Sequence, residues 1–224
     1  MRKTLKETWD RKEIITQFEN EALSQGFKHI AGVDEVGRGP LAGPVIAAAC
    51  LLPDYFFLPQ INDSKKLSEV KREELFSLLT THKEIHYGIG IVHHDVIDTI
   101  NILQASFEAM QQAVSRLPIQ PGFILVDGNA LPHLPVPAKA IVKGDLRSQS
   151  IMAASIIAKV TRDRYMAQMD QKYPEYHFAS HKGYPTKAHI EALKQYGPSP
   201  IHRVSFAPVK KVLHSLHIPQ EEHI

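Results

Sequence analysis

His29-Ile-Ala-Gly-Val-Asp34-Glu35-Val-Gly37-Arg38-Gly39-Pro40 is the stretch on which the fold turns. Its first half is a short apolar run that arrives at two adjacent acids. Its second half is a turn rich in glycine. Apolar residues bounded by Gly and Pro predict a buried strand, here stopping at the acids. Three glycines in seven residues, Gly37, Gly39 and Gly43, suit a backbone that a ligand approaches closely.

Similar endings recur downstream. Phe123-Ile-Leu-Val126 is halted by Asp127-Gly128-Asn129, and Ala138 to Val142 by Lys143-Gly144-Asp145. Val45 to Leu52 and Ile85 to Val92 are two further predicted strands. Ser68 can cap a helix that has Glu69, Glu73 and Glu74 near its positive end and Leu75, Leu78 and Leu79 on its inner face. Ile100, Leu103, Phe107, Met110 and Val114 fall on one helical stripe. Ser148 opens a long helix with a stripe of Ile151, Ala154, Ala158, Thr161, Tyr165 and Met169. Thr186 to Tyr196 predicts a short helix stopped by Gly197-Pro198. The pattern is an α/β core with a helical C-terminal appendage. The expected boundaries are an N-terminal extension over 1–28, a core over 29–172 and a helical region over 173–224.

Composition narrows the class. With 224 residues, 43% hydrophobic and 22% charged, the chain is neither disordered nor fibrous. Its longest apolar run, Leu41 to Leu52, is interrupted by Gly43 and Pro44, and a membrane helix needs about 20 apolar residues. The first residues lack the apolar stretch of a secretion signal. Cys50 is the only cysteine, which excludes an internal disulfide and a cysteine-rich zinc site. A cytoplasmic protein is expected. Charge is uneven: residues 1–137 hold 13 Lys/Arg and 17 Asp/Glu, whereas 138–224 hold 13 and 7. An acidic part beside a basic part suits a polyanionic partner, and equally a solvated surface with chance asymmetry.

The chemistry points to the strand ends. In open α/β sheets, ligands bind beyond those ends. Asp34, Glu35, Asp127 and Asp145 would repel one another if they met there, and hard divalent cations such as Mg²⁺ or Mn²⁺ remove that conflict. Acids at strand ends also serve as turn formers and helix caps, so spacing alone leaves both readings open. Other chemistries lack their motifs. The third glycine of Gly37-Arg38-Gly39-Pro-Leu-Ala-Gly43 comes one place late for a dinucleotide fingerprint, no P-loop occurs, and no nucleophile elbow follows Asp127. Lys65-Lys66 after Asn62-Asp-Ser64 suits a phosphate contact or a solvated loop. His181-Lys-Gly-Tyr184-Pro-Thr186 sets an aromatic, a lysine and a histidine on one loop, where an aromatic can pack on a sugar or base. His93-His94-Asp95 could suggest a transition-metal site, but its histidines are adjacent and the segment reads as a cap for the following helix. His189 and His202 have no ligand spacing.

Taken in order, Ala31-Gly-Val-Asp-Glu-Val-Gly-Arg-Gly-Pro40, Asn62-Asp-Ser-Lys-Lys-Leu-Ser68, Leu125-Val-Asp-Gly-Asn129, Lys143-Gly-Asp145, Ala153-Ala-Ser-Ile-Ile-Ala-Lys-Val-Thr-Arg-Asp163, His181-Lys-Gly-Tyr-Pro-Thr186 and His202-Arg-Val-Ser-Phe206 closely resemble bacterial ribonuclease HII. The resemblance runs from about Ile30 to Lys211. It implies a ribonuclease H-like fold, with a mixed five-stranded sheet flanked by helices and a helical C-terminal region. It implies an acidic tetrad of Asp34, Glu35, Asp127 and Asp145 that is catalytic and binds Mg²⁺ or Mn²⁺. The implied partners are RNA/DNA hybrids and duplex DNA containing ribonucleotides, cut on the 5′ side of the ribonucleotide to leave 3′-hydroxyl and 5′-phosphate ends. Gly37, Arg38, Gly39 and Tyr184 would read the 2′-OH at the junction, and Lys65 would contact phosphate. In-line attack by water with two metals is the expected mechanism, with Asp34 and Asp127 shared and Glu35 and Asp145 each completing one site. A monomer without membrane attachment is expected. Related nucleases (a junction resolvase, ribonuclease HIII) and a non-catalytic binding module are the rival readings. The first 28 residues are too few for the extra substrate-binding domain of ribonuclease HIII.

Overall fold

Alternation along Ile30–Val36, strand β1, decides where each of its side chains goes. Ile30, Gly32, Asp34 and Val36 fall on one face, and Ala31, Val33 and Glu35 on the other. In the computed structural model, which describes residues 13–54, 56–57 and 67–216, β1 is the middle strand of a five-stranded sheet. The other strands are β2 (Val45–Leu51), β3 (His86–Val92), β4 (Phe123–Asp127) and β5 (Ala138–Ile141), in the order β3-β2-β1-β4-β5. β1 pairs antiparallel with β2 and parallel with β4, and β4 pairs parallel with β5, so the sheet is mixed.

β1 does not stop at its acids. It runs through Asp34 and Glu35 to Val36, because β2 continues the pairing opposite them: Asp34 with Ala48, Glu35 with Ala47 and Val36 with Ile46. The acids therefore sit on a rigid strand.

Helices cover both faces. The described part begins with helix α1 (Gln17–Ser24), and Ser68 caps α2 (Glu69–Thr81) by accepting from the Lys71 N–H. Helix α3 spans His94–Ser115 and α4 spans Gln149–Lys172. α4 lies on the Gly32 face. A Cβ on Gly32 would come within 2.1 Å of the Ser150 carbonyl carbon, so only glycine fits there. Met152, Ala153, Ile156, Ile157 and Val160 of α4 pack with Ala48 and Cys50 of β2 and with Leu75 and Leu79 of α2. The stripe expected for α4 is too narrow, since Ile151 to Ala158 are all buried. Tyr87 and Ile89 of β3 pack with this cluster, which turns Gly88 and Gly90 to the opposite face. There the Ala113 and Ala109 carbonyls of α3 lie against them.

The α3 stripe also differs from expectation. Leu103 is exposed, and the buried positions include Ala105, Ala109, Met110, Ala113 and Val114. Two causes act together. Asn101, at φ 68° and ψ 164°, breaks the helical phase, and its side chain caps the segment beyond by accepting from the Leu103 and Gln104 N–H groups. The alanines then let the helix backbone settle on the β3 glycines.

The N-terminal extension is part of this packing. Phe18 and Ala22 of α1 join Ile30, Leu125, Ile141 and Ile151 in one cluster. Glu19 caps α4: its Oε1 accepts from the Ser148 hydroxyl at 2.6 Å, the Ser150 N–H at 3.0 Å and the Ser150 hydroxyl at 2.7 Å.

The chain divides into two compact units: Met1–Val36, Ile46–Ile91 and Ser106–Thr161 in the first, and Gly37–Val45, Val92–Ala105 and Arg162–Ile224 in the second. The first contains the sheet. The second holds a 3₁₀ turn at Pro174–Tyr176, the single-turn helix α5 (Phe178–His181), α6 (Lys187–Tyr196) and α7 (Ala207–Leu216). Its core consists of Ala42, Met166, Tyr176, Phe178, Ala192 and Ile201, with Leu41, Leu193, Val209 and Val212 beside one another in a second cluster. Among the described residues, no helix is long and apolar enough to cross a membrane.

Gly32→Ala forces α4 away from β1. Chemical denaturation should register a loss of about 1–3 kcal/mol, the usual cost of overpacking, and a variant as stable as the parent contradicts the close approach.

Candidate active site

Three of the four acids are set by the parallel pair β1 and β4. The register aligns Val33 with Val126, and its next step brings Asp34 beside Asp127 on the same face, on neighbouring strands about 4.8 Å apart. Glu35, one residue on, points to the other face. Asp34 is only 6% exposed. Burial drives its carboxyl well above the usual carboxylate range, and the charges of Glu35 and Asp127 push it further. Hydrogen bonds from the Ser155 side chain and from the Glu35 N–H, the latter at 2.7 Å to Oδ1, act in the opposite direction without overcoming that burial. Ser155 is available because α4 starts directly over Gly32, one turn earlier.

Asp145 reaches the same neighbourhood through a turn. Lys143 takes a left-handed conformation at φ 58°, and Gly144–Leu146 forms a 3₁₀ turn. Asp127 Oδ1 caps it, accepting from the Gly144 N–H at 2.6 Å and the Asp145 N–H at 3.4 Å. A Cβ on Gly144 would stand 2.6 Å from Ile151 Cδ1, so the turn packs closely against the start of α4. Asp127 is thus a cap and a member of the acidic group at once. Asp145 itself is buried. Among the described residues, no three His, Cys, Asp or Glu side chains already have their donor atoms placed as a metal-holding group. What is on hand is a crowded, hard-oxygen donor set in which charge is penalised. That chemistry fits Mg²⁺ or Mn²⁺, which favour such donors.

The second unit contains the glycine loop. Arg162 and Arg203 are both fully buried, and between them they collect its carbonyls. Arg162 donates from Nε to Pro44 O at 3.0 Å, from Nη2 to Ala42 O at 3.1 Å and from Nη1 to Lys182 O at 2.9 Å. Arg203 donates from Nη2 to Gly37 O at 2.6 Å and Gly43 O at 2.8 Å, from Nε to Gly43 O at 3.0 Å, and from Nη1 to Arg38 O at 3.1 Å. Burial lowers their pKa values to about 10 and about 9. Both therefore remain cationic at neutral pH. Gly37, at φ +99°, lies against Arg162, and a Cβ would stand 2.3 Å from its Nε. Gly39 is different: it faces the ring of Tyr184, with its Cβ position 3.5 Å from Cε1. Tyr184 is 40% exposed, so Gly39 and this ring form an accessible surface. Lys65 lies outside the described residues.

The ribonuclease HII family profile matches residues 31–209. Ribonuclease HII of Chlamydia pneumoniae is 52% identical over 195 residues, covering 87% of this chain and 91% of that protein. The Chlamydia muridarum ribonuclease HII is 55% identical over 194 residues, with 87% and 89% covered. This chain belongs to the ribonuclease HII family. Among solved structures, ribonuclease H2 from Pyrococcus horikoshii OT3 matches with a TM-score of 0.70 at 31% identity, over 84% of this chain and 98% of that one. Membership makes it an enzyme, a metal-dependent endoribonuclease.

Some residues of this chain that matter structurally are not apparent from spacing. Nothing in their spacing singles out Arg162 or Arg203, although Arg162 falls on the buried side of α4, four residues after Ala158, where an arginine needs internal partners. His189 and His202 lack ligand spacing because they bond to each other, Nε2 to Nε2 at 2.9 Å.

Arg203→Lys strands several buried carbonyls. At about 1–3 kcal/mol for each unsatisfied group, denaturant unfolding should show a loss above about 2 kcal/mol, and a near-neutral result refutes the clamp. For Asp34 the sign runs the other way from an ordinary ion-paired acid. Its folded pKa is raised, so between the unfolded value of about 3.9 and the folded one the native state keeps a proton that the unfolded state has lost. Metal-free stability should therefore fall as pH rises through that window. Asp34→Asn should raise the melting temperature of the metal-free protein at pH 7, and a lower one counts against the crowding.

Proposed function

We propose that this enzyme hydrolyses the phosphodiester on the 5′ side of a ribonucleotide, in RNA/DNA hybrids and in duplex DNA with embedded ribonucleotides, leaving 3′-hydroxyl and 5′-phosphate ends. The observation that carries the reading is the crowding of Asp34 by Glu35 and Asp127 where two adjacent parallel strands run side by side. Like charges in a buried place are costly unless they have a use for a cation. Two Mg²⁺ or Mn²⁺ ions are assigned to the four acids, Asp34 and Asp127 shared, Glu35 and Asp145 completing one site each. When bound, such ions acidify water and stabilise charge on the transferred phosphoryl group.

The protein's own groups do the rest. Asp34 is held in orientation by the Glu35 N–H and Ser155, and Asp127 by the Gly144 and Asp145 N–H groups. Placing carboxylates on a strand and a capped turn lets them meet the substrate without reorganising, which is where fixed polar groups gain most over water. Gly37, Arg38, Gly39 and Tyr184 are assigned the 2′-OH of the junction, and Lys65 a phosphate. A pocket that hydrogen-bonds a hydroxyl rejects an analogue without one by a large factor, about 10⁴-fold where the polar groups are otherwise stranded.

The test is a duplex with one ribonucleotide, incubated with Mg²⁺, with Mn²⁺ and with chelator. Cleavage should require the metal and should leave a 3′-hydroxyl on the upstream fragment. Asp127→Asn should lower turnover about 10²-fold or more, since metal ligation supplies several kcal/mol. Near-normal turnover, or cutting that ignores the ribonucleotide, overturns the reading.

A further inference from the structure

His189 and His202 are buried, and every ring nitrogen has a partner whose role is fixed. The Ser199 N–H donates to His202 Nδ1 at 2.9 Å, and the Ser199 hydroxyl lies 2.7 Å from the same nitrogen. An N–H can only donate, so Nδ1 of His202 is bare and the proton of the neutral ring is on Nε2. At the other end, His189 Nδ1 stands 2.9 Å from the Tyr184 carbonyl. A carbonyl can only accept, so His189 is protonated on Nδ1 and bare on Nε2. The two Nε2 atoms, 2.9 Å apart, then form one hydrogen bond with a single possible direction, from His202 to His189. Desolvation lowers the pKa values of His189 and His202 to about 4 and about 3, which keeps both rings neutral at working pH. The line runs from Ser199 through two imidazoles to the Tyr184 carbonyl. His181 stacks on His189 with ring centroids 4.4 Å apart, and its Nδ1 accepts from the Gly183 N–H.

The segment at the end of this line is otherwise held from the other side. Lys182 O binds Arg162, Gly183 O accepts from the Leu41 N–H at 2.8 Å, and Tyr184 O also receives the Thr186 N–H. Three successive carbonyls are thus tied to three different elements, and that of Tyr184 alone is tied to a side chain of α6. The Tyr184 ring rests on Gly39.

We propose that His189 and His202 are positioning residues for ribose recognition: the one-way imidazole pair fixes the Tyr184 main chain, and through it the height of the ring over Gly39. The inference rests on the reading of Tyr184 as a contact to the junction sugar. It goes beyond it by naming what sets that contact.

The experiment compares kcat/KM on a duplex with one ribonucleotide and on a continuous RNA/DNA hybrid, with melting temperature recorded for each protein. A hybrid offers a 2′-OH at every step and tolerates a displaced tyrosine, whereas a single ribonucleotide does not. His189→Gln places its amide toward His202 and leaves the Tyr184 carbonyl with the Thr186 N–H alone. His189→Asn places an N–H where Nδ1 stood. The Gln variant should lower the single-ribonucleotide value roughly three- to tenfold more than the hybrid value, the size of one hydrogen bond, and Asn should restore most of the ratio. An unchanged ratio in His189→Gln overturns the proposal. So does an equal loss on both substrates by Gln and Asn that follows melting temperature, which marks a packing role. Where His189→Gln does not unfold cooperatively, His202→Asn, which keeps the Ser199 contact and loses the donor to His189, must shift the ratio the same way, and an unchanged ratio overturns it. Tyr184→Ala separates the two levels: if it leaves the ratio intact the sugar reading fails along with the proposal, and if it alone shifts the ratio only the proposal fails. Imidazole ¹⁵N shifts should report Nδ1–H for His189 and Nε2–H for His202. The opposite tautomers overturn the line.

Discussion

The close approach of α4 to β1 at Gly32 governs the arrangement of the first unit. A helix backbone cannot lie this near a strand unless a side chain is missing. Once the two backbones meet there, the repeat of each element sets the neighbours of the acid. Two residues along the strand brings Asp34 to the same face, and about one turn along the helix brings Ser155 opposite it. The helix start is in turn held by Glu19 from α1, so the N-terminal extension contributes to the position of the acid without touching it. This is how a buried carboxylate gets a defined orientation: its direction comes from backbone geometry more than from side-chain rotamers.

The second unit solves a different problem. The turn anchors Leu41 and Ala42 in the core, and its buried carbonyls need internal partners. Two buried guanidinium groups supply those partners. Arginine suits this role because its planar fork aims several N–H groups at fixed angles, which an ammonium group cannot do. The cost is two like charges in one interior, and after burial itself the charge of Arg162 lowers the pKa of Arg203 further. Two carboxylates act against that: Asp98 raises the pKa of Arg203 and Asp163 that of Arg162, and the Asp98 oxygens also accept from the Val204 and Ser205 N–H groups.

Much of this is legible in the sequence, and the rest escapes it for identifiable reasons. Apolar runs ended by Gly, Pro or acids mark four of the five strands and a loose alternation marks β3, because buried strands must be apolar and turns must carry special backbone. They do not mark where β1 ends, since pairing with β2 overrides the local signal at Asp34 and Glu35. The stripe on α3 is displaced from its apparent position because Asn101 resets the helical phase, and a non-glycine residue at φ 68° leaves no reliable trace in composition. Spacing allows Asp127 to be either a cap or part of an acidic site, and it is placed to be both. Arg162, Arg203, His189 and His202 are invisible for a common reason: their partners are backbone groups and each other, and neither relation has a spacing. The resemblance to ribonuclease HII locates their neighbourhoods while giving them no role.

The ionisable groups also divide by what they do to stability. Asp34 is a group the fold disfavours in its charged form, and His189 and His202 are groups the fold keeps neutral, yet the consequences differ. The histidines have complete hydrogen bonding as they are, so neutrality is their working state and acid alone disturbs them. Asp34 has hydrogen bonds too weak to offset burial and two acidic neighbours, so its charged form is disfavoured, first by burial and then by those neighbours. A protein that tolerates an unfavourable carboxylate on a central strand, while satisfying the imidazoles of His181, His189 and His202, is strained selectively. A divalent cation held there, as proposed, would favour the charged form of Asp34 over the protonated one.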